Sequence, residues 1–154
     1  MICSLSVVLP AFNESANIGA SVKAALRALD VRRLDGEVIV VDDGSHDDTG
    51  RVAVAHGDPR LRVIHHPENL GYGAALRTGL LAATKGHLFF TDADRQFDIE
   101  QISRLDAWAT GYDIVVGYRE DRRDPVGRRL NAWAWNRLVG SLFDLGVRDI
   151  DCAF

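Results

Sequence analysis

Glu37-Val38-Ile39-Val40-Val41-Asp42-Asp43-Gly44-Ser45 is the stretch on which the fold class turns. Four consecutive β-branched residues with no polar residue between them fit a strand buried on both faces. Strands of that kind belong to parallel sheets covered by helices. The run stops at two acids and a Gly-Ser turn, so its polar groups lie at the strand's carboxyl end. That is where ligands bind in open α/β sheets.

The same grammar recurs in both directions. Upstream, Leu5 to Leu9 reads as a short strand stopped by Pro10. It leads through Phe12-Asn13-Glu14 into a helix from Ala16 to Leu29, with Asn13 or Ser15 as its cap. Downstream, a helix is expected over 48–56, a strand over 61–64, a loop over 65–71, a helix over 72–83 and a strand over 87–91. Beyond Asp92-Ala93-Asp94 come a helix over 98–110, a fifth strand over 113–117, a charged loop over 119–127, a helix over 128–145 and a strand beginning at Val147. Strands alternating with helices imply βαβ units and a mainly parallel, Rossmann-like sheet with helices on both faces.

Bulk properties narrow the class. The 154 residues suffice for a single domain with its own core, 1–154. Hydrophobic content of 47%, charged content of 26% and a net charge of −4 describe an ordinary globular chain, with nothing pointing to nucleic acid. Cys3 and Cys152 are expected as buried free thiols in a reducing compartment. The segment Met1 to Pro10 has no basic region and no small-residue cleavage site, so a signal peptide is not expected. No run of 18 apolar residues marks a membrane-spanning helix.

The motifs carry the chemistry. After the strand Leu88-Phe89-Phe90-Thr91, side chains at 92, 94 and 96 point the same way if the backbone stays extended. Asp92, Asp94 and Gln96 then offer hard oxygen ligands suited to Mg²⁺ or Mn²⁺, which fill their remaining positions with waters and phosphates. The alternative is a carboxylate-rich turn. Asp42 and Glu14 are placed to accept hydrogen bonds from a base N–H or a ribose hydroxyl. The turn Asn69-Leu70-Gly71-Tyr72-Gly73 allows close backbone approach at a helix N-terminus; a purely structural turn is the competing reading. It matches neither a dinucleotide fingerprint nor a P-loop. Arg119, following the fifth strand, suits a phosphate by its bidentate fork, or else is a solvated surface residue. From Arg119 to Arg148, seven Arg stand against four acids. The helix there mixes Trp133, Trp135, Leu138 and Leu142 with Arg, a pattern that fits a membrane interface and equally a core-packing face. The five histidines show no hydrolase spacing.

Four segments in order complete the pattern: Val8-Leu9-Pro10-Ala11-Phe12-Asn13-Glu14, Val40-Val41-Asp42-Asp43-Gly44-Ser45, Asn69-Leu70-Gly71-Tyr72-Gly73-Ala74-Ala75 and Thr91-Asp92-Ala93-Asp94-Arg95-Gln96-Phe97. Together they resemble family 2 glycosyltransferases of the GT-A fold, most of all the polyprenyl-phosphate branch typified by dolichol-phosphate mannose synthase. The resemblance implies transfer of a hexose, with inversion, from a nucleotide-diphosphate sugar of the GDP-mannose or UDP-glucose type to a lipid phosphate. It implies that Pro10, Phe12, Glu14, Val40 and Asp42 line the nucleoside pocket. It further implies that Asp92, Ala93, Asp94 and Gln96 hold the metal and diphosphate, beside Gly71, that Arg119 and Arg128 or Arg129 contact phosphate, and that Asp94 and these arginines form the catalytic set. A lipid acceptor implies work at the cytoplasmic face of a membrane, with peripheral contact. Phe12 stands where many relatives carry Tyr, and Arg95 fills a variable position. Asp151-Cys152-Ala153-Phe154 looks like the start of the motif closing the acceptor side, so more catalytic domain is expected beyond Phe154. The competing expectations are a hydroxyl acceptor such as a glycan, a sugar-1-phosphate nucleotidyltransferase, or a nucleotide-sugar-binding fragment without activity.

Overall fold

The computed structural model describes residues 2–94, 99–105, 107–109, 111–117 and 126–143. The elements are β1 (Ser4–Ala11), α1 (Ile18–Val31), β2 (Asp35–Asp42), α2 (Thr49–Val54), β3 (Leu61–His65), α3 (Tyr72–Ala82), β4 (His87–Phe90), a 3-10 turn (Ile99–Gln101), α4 (Ile102–Leu105) and α5 (Val126–Phe143). The chain forms two compact units, Met1–Asp113 and Ile114–Phe154.

In the first unit the strands make one four-stranded sheet in the order β3-β2-β1-β4, every pair parallel. Val7 lies beside Val38 and Val8 beside Ile39, so β1 and β2 form a continuous apolar centre. Val7, Val8, Val38, Ile39, Val40 and Val41 are all fully buried, as two covered faces require. Val8, Ile39 and Val41 meet Ala75 of α3 on one face. On the other, α1 buries Ile18, Val22, Ala25, Leu26 and Leu29, a helical stripe. Gly36 lets Leu29 lie against the strand: a Cβ there would sit 2.4 Å from a Leu29 methyl.

Four local expectations are corrected. β1 does not stop at Pro10 but runs through it to Ala11. Pro10 costs no ladder bond because its nitrogen faces the β4 side, where pairing ends at Val8–Phe90. The helix expected over 98–110 shrinks to the 3-10 turn and α4, since its buried stripe ends after Ile99 and Ile102 while Trp108 is exposed. The run Ile114-Val115-Val116 forms no ladder among the described residues, and Ile114 is 80% exposed. β-branched composition alone does not make a strand, because β propensity is a fit to a pleated, half-buried surface. Cys3 is exposed rather than buried. Cys152 and the strand expected from Val147 lie outside the described residues.

Candidate functional site

The carboxyl ends of β1, β2 and β4 open into a cleft of about 310 Å³. Its lining comprises Pro10, Ala11, Phe12, Glu14, Asp43, Asn69, Tyr72, Ala75, Asp92, Ala93 and Asp94. One wall is the segment after β1, which the loop after β2 holds in place. Asn13, in the left-handed region at φ 55°, donates its N–H to Ser45 Oγ (2.9 Å) and accepts His46 N–H at Oδ1 (2.9 Å). Asn tolerates that conformation better than most residues. Glu14 N–H donates to Thr49 Oγ1 at 2.8 Å, and Asn17 Nδ2 donates to Glu14 Oε2 at 2.8 Å. These polar groups are therefore spent joining two loops. That explains why neither Asn13 nor Ser15 caps α1, which begins after Asn17 with no side-chain cap bond. Phe12 packs edge-on against His46, with ring centroids 6.0 Å apart.

The floor is built on Asp43. Its carboxylate accepts from His66 Nδ1 (2.6 Å), Leu70 N–H (3.0 Å) and Gly71 N–H (2.9 Å). Burial works to raise its pKa, but these hydrogen bonds outweigh that, and Asp43 sits below the usual carboxylate range. One buried carboxylate thus fixes the turn before α3, where Gly71 has φ 92° and accommodates what a side chain would resist. The preceding turn is equally tight, since a Cβ on Gly44 would fall 2.3 Å from the Glu68 backbone carbonyl carbon.

The far wall is Asp92-Ala93-Asp94. Thr91 N–H still donates to Val8 O (3.2 Å), and Ser21 Oγ of α1 donates to the Ala93 carbonyl at 2.7 Å, anchoring the segment from below. Asp92 Oδ1 is buried without a hydrogen-bond partner among the described residues. Burial raises the Asp92 pKa; a hydrogen bond from Tyr72 opposes this, and the nearby Asp94 and Glu14 charges add to it. An orphaned buried carboxylate oxygen among like charges is an environment that a cation relieves. Among the described residues no three His, Cys, Asp or Glu side chains converge on one point. A cation here would therefore take two carboxylates, Asp92 and Asp94, and complete its shell from elsewhere, as hard divalent ions do.

The expected site residues divide cleanly. Pro10, Phe12, Glu14, Asp92, Ala93 and Asp94 meet in the cleft. Val40 is fully buried in the sheet and does not line it. Asp42 also points elsewhere, accepting Ser45 N–H at 3.1 Å and His65 Nδ1 at 3.0 Å. Gly71 supports the cleft from behind through its bond to Asp43. Gln96 and Arg119 lie outside the described residues, as do the side chains of Arg128 and Arg129. Asp43 and Tyr72 were missed.

Residues 6–149 match the model of glycosyl transferase family 2. The chain is 32% identical to human dolichyl-phosphate beta-glucosyltransferase, over 97% of this chain and 53% of that protein. It is also 32% identical to dodecaprenyl-phosphate galacturonate synthase of Rhizobium johnstonii, over 97% of this chain and 46% of the relative. Among solved structures, it resembles glucosyl-3-phosphoglycerate synthase from Mycobacterium tuberculosis in complex with Mn²⁺, UDP and glucosyl-3-phosphoglycerate. That likeness has TM-score 0.60 and 30% identity, covering 90% of this chain and 52% of the other. The chain spans about half the length of the curated relatives it matches. The parallel sheet with helices on both faces is thus of the GT-A class.

Proposed function

Because the chain belongs to glycosyl transferase family 2, we propose that it is the donor-binding part of a hexosyltransferase acting on a polyprenyl phosphate, with inversion and with a divalent metal. The observation that carries the reading is that Glu14, Asp43, Asp92 and Asp94 all line the cleft at the strand ends, with Asp92 Oδ1 buried and without a partner among the described residues. So acidic a cleft receives a diphosphate only through a cation. The relatives named for transfer to dolichyl and dodecaprenyl phosphates supply the acceptor class. The solved neighbour with Mn²⁺ and UDP supplies the donor and metal class.

In this reading Phe12 and Glu14 flank the nucleoside, and Asp43 keeps the Asn69–Gly71 turn close to it. Asp92 and Asp94 hold Mg²⁺ or Mn²⁺, joined by Gln96. When bound, that ion neutralises charge on the leaving diphosphate. Arg119 and Arg128 or Arg129 take phosphate oxygens. The acceptor oxygen of a lipid phosphate is already anionic near neutral pH, so it attacks the anomeric carbon without a protein base. The protein's task is positioning and electrostatic stabilisation of the leaving group. The reaction is placed at the cytoplasmic face of a membrane. Among the described residues no helix is long and apolar enough to cross one. In the second unit, α5 exposes Trp133, Trp135, Leu138 and Leu142, with Arg137 over the Trp133 ring, a composition suited to peripheral contact.

A thermal-shift panel of GDP- and UDP-sugars with and without Mn²⁺ tests the donor assignment, since a ligand that binds the native state raises Tm by mass action. Sugar transfer to a polyprenyl phosphate, run beside 3-phosphoglycerate as acceptor, tests the second half. A metal-dependent Tm rise with one nucleotide and label in the lipid phase are expected. No shift with any nucleotide, or label only in the soluble acceptor, refutes the corresponding half.

A further inference from the structure

Ser21 is 2% exposed, on the face of α1 that otherwise buries Ile18, Val22, Ala25, Leu26 and Leu29. A hydroxyl in so apolar a stripe is costly unless it is hydrogen-bonded. Ser21 Oγ has two acceptors in reach, the Ala93 carbonyl at 2.7 Å and the Asn17 carbonyl at 3.2 Å, and one proton to give. The shorter contact has the usual length of an O–H···O bond. Asn17 O already receives the Ser21 backbone N–H at 3.0 Å, so it does not need the hydroxyl. The donation therefore goes to Ala93, a buried residue between Asp92 and Asp94. Support from the sheet is fading at this point. The β1–β4 register ends at Val8–Phe90, and Thr91 N–H reaches Val8 O at 3.2 Å. Thr91 Oγ1 and Asp92 Oδ1 are buried without partners among the described residues, so neither atom anchors the backbone here.

We propose that Ser21 is a positioning residue for the cation: by holding the Ala93 carbonyl it fixes the direction of Asp94 relative to Asp92. The inference rests on the metal-dependent reading of the cleft. The Ala93 carbonyl belongs to the peptide unit that carries Asp94, so turning that carbonyl re-aims the Asp94 side chain. Without the hydroxyl the carbonyl loses this donor in a buried place, and an unsatisfied buried acceptor favours turning toward water. A small divalent ion is sensitive to such a change, because it demands near-ideal placement of the few protein oxygens it takes. Groups that orient metal ligands typically contribute about 10- to 100-fold in metal affinity. Ser21 stands 72 residues before Ala93, in a helix whose face reads simply as core.

The test is Ser21→Ala, which removes the hydroxyl and suits a helix interior. Ser6→Ala is the control: it removes another buried serine hydroxyl, one bonded to Glu37 at 2.7 Å and away from the cleft. Binding of MnCl₂ alone to the full chain is followed by the loss of the free-ion EPR signal. UDP and GDP binding is measured separately in EDTA. The expected result for Ser21→Ala is Mn²⁺ affinity weakened by about 10-fold or more, with metal-free nucleotide affinity unchanged. Ser6→Ala should lower Tm and leave Mn²⁺ affinity at the wild-type value. Ser21→Cys, with a weak S–H donor in place of the hydroxyl, carries the same comparison if the alanine variant unfolds. Wild-type Mn²⁺ affinity in the Ser21 variant overturns the proposal while leaving the metal reading intact. An equal loss in Ser6→Ala also overturns it, because general destabilisation then accounts for the effect. So does a parallel loss of nucleotide affinity in EDTA, which means that the whole cleft has moved. Failure of the wild-type chain to bind Mn²⁺ overturns the metal reading and this inference together.

Discussion

His66 Nδ1 lies 2.6 Å from Asp43 Oδ1, and the ring's other nitrogen is 2.9 Å from Thr78 Oγ1. One imidazole therefore ties the end of β2 to the middle of α3. The pair is almost wholly buried, with side-chain exposures of 9% and 4%. The same carboxylate holds the turn on which the cleft's Asn69 and Tyr72 stand. Position in the cleft and stability of the first unit are thus vested in one acid.

Replacing that acid should show both roles. Asp43→Ala leaves His66 Nδ1 and Leu70 N–H without this acceptor, while Gly71 N–H keeps Asn69 Oδ1 at 2.9 Å, and each unsatisfied buried group costs about 1–3 kcal/mol. A fall in Tm of several degrees is expected, with any nucleotide-induced shift lost even where the apo protein remains folded. His66→Phe keeps the two backbone bonds and should cost less. Equal Tm values for Asp43→Ala and wild type would contradict this account.

Gly79 makes a second, purely steric prediction. A Cβ there would stand 2.3 Å from Val8 Cγ1 and 3.3 Å from Val41 Cγ2, both fully buried in the sheet centre. Neither can give way without disturbing a strand flanked on both sides. Gly79→Ala gains helix propensity but overpacks the α3 face, at a cost of about 1–3 kcal/mol. Denaturant unfolding should show a lower midpoint at unchanged slope. A stabilised variant would mean that α3 sits further from the sheet than described.

These two positions also mark what was legible in the sequence. The parallel sheet was readable because Val38 to Val41 and Val7 to Leu9 are apolar on both faces, and that pattern has few other solutions. Asp92 and Asp94 were readable because they follow a strand end. Which of Asp42 and Asp43 lines the cleft is not legible, because sequence does not fix the phase of a strand at its last residue. β2 ends at Asp42, and the next residue turns into the cleft. Tyr72 is not legible as a cleft residue because its place beside Asp92 and Asp94 comes from tertiary packing that no local pattern encodes. Ile114 to Val116 form no strand because β-branched composition expresses a fit to a half-buried pleated surface, and Ile114 is 80% exposed.

The opposite end of the sheet carries a pH dependence unconnected with the cleft. Glu37 is 7% exposed and accepts from Ser6 Oγ, Thr84 N–H and Thr84 Oγ1, each at 2.7 Å, and from Arg62 at 3.3 Å. Burial pushes its pKa up, but these donors together pull it from 4.5 down to about 2. The folded value lies below the unfolded one. The contribution is therefore complete above about pH 4.5 and fades as pH falls toward 2. Its size is on the order of 3 kcal/mol. Glu37→Gln should be less stable than wild type near neutrality, and the two unfolding curves should converge as pH approaches 2. A difference independent of pH would assign the effect to packing instead.

Asp94 decides whether the acidic wall binds through a metal. It lines the cleft on a segment whose middle carbonyl is anchored by Ser21, so shortening its side chain leaves the segment's main support in place. Removing its carboxylate also relieves repulsion on Asp92. Asp94→Ala should therefore leave the apo protein folded. It should abolish the part of the nucleotide-induced Tm shift that requires Mn²⁺, and EDTA should do the same to wild type. At ligand 100-fold above Kd the lost stabilisation corresponds to about 2.7 kcal/mol, well within what calorimetry resolves. If Asp94→Ala keeps its full Mn²⁺-dependent shift, Asp94 is no ligand, and the ion's second carboxylate must come from elsewhere in the cleft, with Glu14 next in line.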